Sequence, residues 1–139
     1  MNRTLREELL AHCQAAEGIR MLDPEEAAAF VERVAERHVL DRHRTWWWEA
    51  LVPPVERLAY GSSDGLALLE SKLGRERTLW LAATDDEPPP WSVVRGTTRQ
   101  ILELLRDCRW FEYWVSDEAA SFVVFDTHHQ ELVIAGVIA

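Results

Sequence analysis

The chain has 139 residues, 47% of them apolar and 28% charged, and a net charge of −9. That length suits one domain spanning 1–139. Six glycines and six prolines exclude collagen-like and low-complexity chains, and the apolar share excludes a disordered one. No stretch reaches the roughly 18 apolar residues of a membrane helix, and the first residues run into charge instead of a signal-peptide core. A soluble, cytoplasmic domain with no membrane attachment is expected.

In chain order, Leu5, Leu9, Leu10 and Cys13 repeat at helical spacing, which predicts a helix over 4–16 that Gly18 breaks. Asp23-Pro24-Glu25-Glu26 opens a second helix: Asp caps, Pro fits the first turn, and the acids favour the positive end of the dipole. This helix should reach about Val39. Trp46, Trp47 and Trp48 follow; three bulky aromatics in a row predict extended chain with alternate rings on opposite faces. Ser62-Ser63-Asp64 caps a short helix that stops at Gly74. Residues 78–83 read as a strand, 85–90 as an acidic, proline-rich loop, and 91–95 as a second strand. Thr97 with Gln100 makes a capping box for a helix carrying Ile101, Leu102, Leu104 and Leu105. The remainder reads as strands 110–115, 121–125 and 131–137 joined by short turns, an antiparallel meander. The fold class is therefore α+β: N-terminal helices, then a mostly antiparallel sheet with one inserted helix.

The last thirty residues carry five acids and no base, more than half of the net charge. Such a surface repels phosphate backbones, so no nucleic acid is expected, and it would steer in a basic protein partner. Cys13 and Cys108, the only cysteines, have no CxxC pairing and read as buried thiols. Phosphate-loop, GxSxG, HExxH and GxGxxG motifs are all missing, so no cofactor is expected. Gly61-Ser62-Ser63-Asp64-Gly65 reads as a helix cap more readily than as an anion cradle.

Two constellations could carry chemistry. Asp126, His128, His129 and Glu131 fall on one hairpin and offer carboxylate and imidazole donors for a divalent metal, although Asp and His are also ordinary turn residues. Trp110, Glu112 and Trp114 share one face of a strand, with Phe111, Tyr113 and Val115 on the other. A carboxylate between two indoles must lie at a sheet edge or accept hydrogen bonds.

The Trp47-Trp48-Glu49 run, the helix from Ile101 to Asp107 leading into Phe111-Glu112-Tyr113, and Asp126-Thr127-His128-His129 together resemble a small bacterial domain family. Its members are stand-alone cytosolic α+β proteins, similar to the SUKH-type immunity proteins of bacterial toxin systems. The resemblance covers roughly 46–138 and implies a binding protein; no catalytic residues come with it.

The expected function is a non-enzymatic, acidic protein-binding module, an immunity protein that neutralises a toxin domain. Trp47 and Trp48 would be its anchors, with Glu112, Asp117, Glu118 and Asp126 as an acidic contact surface. Two alternatives stand beside it. One is a small metal-assisted hydrolase using Asp126, His128, His129 and Glu131. The other is a homodimeric structural or regulatory protein paired through the apolar strand Leu132 to Ile138.

Overall fold

Thr4 closes a capping box with Glu7 and starts helix α1 (Leu5–Gln14), while Asp23 accepts from the Glu26 N–H at 2.9 Å and starts α2 (Pro24–His38). Asp64 caps α3 (Gly65–Leu73) and Thr97 with Gln100 boxes α4 (Thr98–Asp107). Each of these helices thus begins where a short polar side chain satisfies its first amide groups. The structure is a computed structural model that describes residues 4–84 and 91–138; the acidic proline-rich stretch 85–90 lies outside the described residues.

Among the described residues, seven strands form one antiparallel sheet: β1 (Arg20–Met21), β2 (Val55–Ala59), β3 (Thr78–Ala83), β4 (Ser92–Thr97), β5 (Tyr113–Ser116), β6 (Phe122–Thr127) and β7 (Glu131–Gly136). Their spatial order is β1-β4-β3-β5-β6-β7-β2. The expected α+β architecture and the β5-β6-β7 meander are both present. Strands β1 and β2 had not been expected. The first has two residues, and the second carries Glu56 and Arg57 with only Leu58 half-buried, so neither shows an apolar alternation. Because β1 precedes α2 and β2 precedes α3, three helices, α2, α3 and α4, fall between strands of the sheet instead of one.

Period-two alternation divides the strands between two cores. Leu79, Leu81, Tyr113, Val115, Val124, Leu132 and Ile134 face α1, α3 and α4. Trp80, Ala82, Trp114, Phe125, Val133 and Ala135 face α2 and the tryptophan segment. Phe30 of α2 is fully buried there, its ring 5.0 Å from Trp80 and 5.4 Å from Trp114. Both faces of β7 are therefore covered and both its edges paired, by β6 and β2. Within this chain β7 therefore has no open edge to offer a second copy. The sheet ends instead on the two-residue β1 and the charged β2, short and charged edges that resist strand addition.

The tryptophan segment also departs from expectation. Residues 47–49 form a single 3₁₀ turn, not a strand. Leu40 N–H to Ala50 O (2.7 Å) and Val52 N–H to His38 O (2.8 Å) close the chain around it. In a 3₁₀ turn successive side chains are about 120° apart, not 180°. Trp47 and Trp48 can therefore both lean onto the sheet, and both are buried. Cys13 is buried and Cys108 half-buried; burial, with the Cys108 thiol nearby, raises the Cys13 thiol to about 11. Among the described residues no helix is long and apolar enough to cross a membrane.

Candidate functional site

The end of the sheet where β3 and β6 finish and β4 and β5 begin opens into a cleft of about 780 Å³. Six of the seven tryptophans line it: Trp46, Trp47, Trp48, Trp91, Trp110 and Trp114. Trp47 packs edge-on to Trp91 at 4.9 Å and stacks on Trp114 at 6.3 Å, forming one wall. Trp46 stacks on Trp48 at 6.0 Å, and both contact the His128 ring, at 4.9 and 5.9 Å, forming another. Trp46 is 40% and Trp110 58% exposed at the mouth. Large rings left in solvent beside an apolar cavity are the usual mark of a binding surface.

The Glu112 carboxylate lies in this cleft. Its Oε1 accepts from the His128 backbone N–H at 3.2 Å and pairs with the His128 Nδ1. Behind it, Asp126 Oδ1 accepts from the Tyr60 hydroxyl at 2.5 Å and Oδ2 from the Tyr113 hydroxyl at 2.7 Å. Burial, and to a lesser degree the nearby Glu112 charge, push the Asp126 carboxyl above its ordinary range against the pull of both hydroxyls. The Tyr113 hydroxyl is pushed well up, first by burial and then by Asp126. Arg42 and Arg44 stand at the rim, each held by an acid: Arg42 by Glu32 at 2.7 Å and Arg44 by Glu49 at 3.6 Å.

The candidate residues separate accordingly. Trp47, Trp48, Glu112 and Asp126 come together at the cleft, where Trp47 and Trp48 form buried lining and Trp46 and Trp110 are the more exposed rings. Asp117 and Glu118 lie beyond the other end of β5, where the Asp117 Oδ1 accepts from the Ser121 N–H at 2.7 Å. The Glu118, Ala119 and Ala120 carbonyls there are held by Arg33, Arg37 and His38 of α2. The acidic residues of the last thirty positions therefore do not form one contact face. Nor does the hairpin gather a metal set. Asp126 turns to the tyrosines, His128 to Glu112 and Glu131 to Arg57 at 3.1 Å, while the His129 ring lies 4.1 Å from the His128 ring and 5.6 Å from Trp48. Among the described residues no group of three or more His, Cys, Asp and Glu side chains surrounds a common point.

Trp91 and Tyr60 are not among the residues the sequence points to, whereas Trp46 and Trp110 stand in its aromatic runs without being assigned to the contact surface. Trp46 and Trp110 carried a signal, since each borders an aromatic cluster in sequence; Trp91 and Tyr60 come from distant elements and carried none. No protein-family model matches the chain, and no curated protein or solved structure matches it either.

Proposed function

We propose that the protein is a non-enzymatic protein-binding module whose contact surface is the tryptophan cleft. The carrying observation is the clustering of six of seven tryptophans around one cleft, two of them exposed at its mouth. Tryptophan combines large apolar area with a polar N–H and dominates binding hot spots. The partner we propose is a toxin domain that the protein neutralises, in keeping with the family resemblance and with the net charge of −9, which steers a basic partner inward.

The test compares wild type with a Trp46→Ala/Trp110→Ala double variant, which alters only exposed rings. Affinity capture from the source cells at low salt, read by native mass spectrometry, should yield a polypeptide that the variant fails to hold. That polypeptide should arrest growth when expressed alone, and co-expressed wild type, not the variant, should relieve the arrest. Capture independent of both rings would overturn the cleft as the contact surface, and a harmless partner would overturn toxin neutralisation.

A second reading, proton-transfer catalysis, draws on the Glu112–His128 pair. An imidazole held at Nδ1 by a carboxylate presents Nε2 as the exchanging nitrogen, the arrangement of an oriented general base. Wild type hydrolysing an activated ester faster than His128→Ala would support it, and equal rates would exclude it for that substrate.

A further inference from the structure

We propose that the cleft receives an arginine side chain of the partner, its guanidinium lying against indole faces and facing the Glu112 and Asp126 carboxylates. The proposal rests on the reading of the cleft as the partner-binding surface and adds the chemistry of the guest. Indole faces are negative, and a cation within about 6 Å of a ring centroid is attracted to them, most strongly over tryptophan. A guanidinium also suits flat aromatic walls better than an ammonium: it is planar, weakly hydrated and able to meet a carboxylate through two N–H groups. The fold already stacks its own arginines this way, Arg33 at 5.9 Å and Arg95 at 5.9 Å from Trp80, and Arg77 at 5.4 Å from Phe122.

Charge points the same way. The rim cations are neutralised from outside the cleft, Arg42 by Glu32 and Arg44 by Glu49. His128 is committed to the Oε1 of Glu112, and among the described residues the Oε2 has no partner. Both oxygens of Asp126 are taken by tyrosine hydroxyls, so this residue contributes charge without an open acceptor. Two carboxylates beside one apolar cavity repel each other, and the raised Asp126 carboxyl records part of that repulsion. A cation at the Glu112 carboxylate, with Asp126 behind it, relieves part of that repulsion. The cleft volume of about 780 Å³ exceeds one side chain, so residues flanking the arginine would enter with it.

The test titrates the intrinsic tryptophan fluorescence of the full chain with Nα-acetyl-L-arginine amide and with the uncharged isostere Nα-acetyl-L-citrulline amide. The arginine derivative should bind saturably and about ten-fold more tightly than citrulline, a difference of about 1.4 kcal/mol. Glu112→Gln should abolish that preference, and Glu118→Gln, at the far end of β5, should preserve it. Trp110→Leu, which leaves the Glu112–His128 pair intact, should weaken the arginine derivative as well, so a misfolded Gln variant cannot account for the result. Equal binding of the two amides, no saturation by arginine, or an unchanged preference in Glu112→Gln would overturn the proposal. If arginine fails while the Trp46→Ala/Trp110→Ala variant still loses the partner, only the guest chemistry falls. If that variant also keeps the partner, the cleft reading falls too.

Discussion

The Glu112 Oε1 takes both the backbone N–H and the ring Nδ1 of His128, so one carboxylate oxygen ties the start of β5 to the β6–β7 turn. The imidazole is thereby held against Trp46 and Trp48 in the wall of the cleft.

A double-mutant cycle with Glu112→Gln and His128→Ala measures the pair directly. Both side chains are partly open to solvent, at 18% and 35%, so the coupling should be about 0.5–1 kcal/mol in urea denaturation. Strictly additive losses would show that the pair does not hold the turn.

The α2 side of the sheet depends on Phe30, which is fully buried between Trp80 and Trp114. Phe30→Ala should cost about 3–5 kcal/mol, the range for emptying a large aromatic site. A calorimetric scan showing an unchanged Tm would mean that α2 is not anchored there.

Gly136 ends β7 at φ +81°, and a Cβ placed on it would lie 2.5 Å from the Ser121 carbonyl oxygen and 2.8 Å from the His38 ring. Gly136→Ala combines a left-handed backbone strain of about 1–2 kcal/mol with an overlap against backbone that cannot swing aside. A loss of about 2 kcal/mol or more is expected in equilibrium unfolding, and a neutral substitution would contradict this packing.

Asp126 supplies the pH dependence. Its folded carboxyl is raised, first by burial and secondarily by Glu112. The folded state therefore holds the proton more tightly than the unfolded chain, whose carboxyl titrates near 3.9. The stability linked to this proton is present at low pH and is lost as pH rises through the folded value. Asp126→Asn removes the titration, so wild type should gain stability relative to the variant as pH falls from 7 towards 4. Denaturant midpoints of both proteins across that range check the sign, and a difference moving the other way would mean that the tyrosine hydroxyls outweigh burial.

Local chemistry determined the helices and most of the strands. The caps at Asp23, Asp64 and Thr97 are legible because a short polar side chain followed by an apolar periodicity specifies a helix start through nearby atoms alone. Strand β3 and the meander were equally readable, since their apolar runs are bounded by turns. The edge strand β2 was not, because an exposed edge carries no alternation to read. Trp46, Trp47 and Trp48 announced an unusual segment without revealing its 3₁₀ turn, which depends on main-chain bonds linking residues 38 and 40 to 50 and 52.

The site itself was decided by tertiary structure. Sequence placed Asp126 with His128, His129 and Glu131 because they are neighbours in the chain, yet a strand sends successive side chains to opposite faces and a turn spreads the rest. The sheet register instead sets Asp126 opposite Tyr113, with Tyr60 donating from beyond β2 and Glu112 reaching the turn. Trp91 and Trp114 meet only because β3 stands between β4 and β5. Composition determined that tryptophan and acid are abundant here; the sheet register, a long-range property, decided which of them face the same cleft.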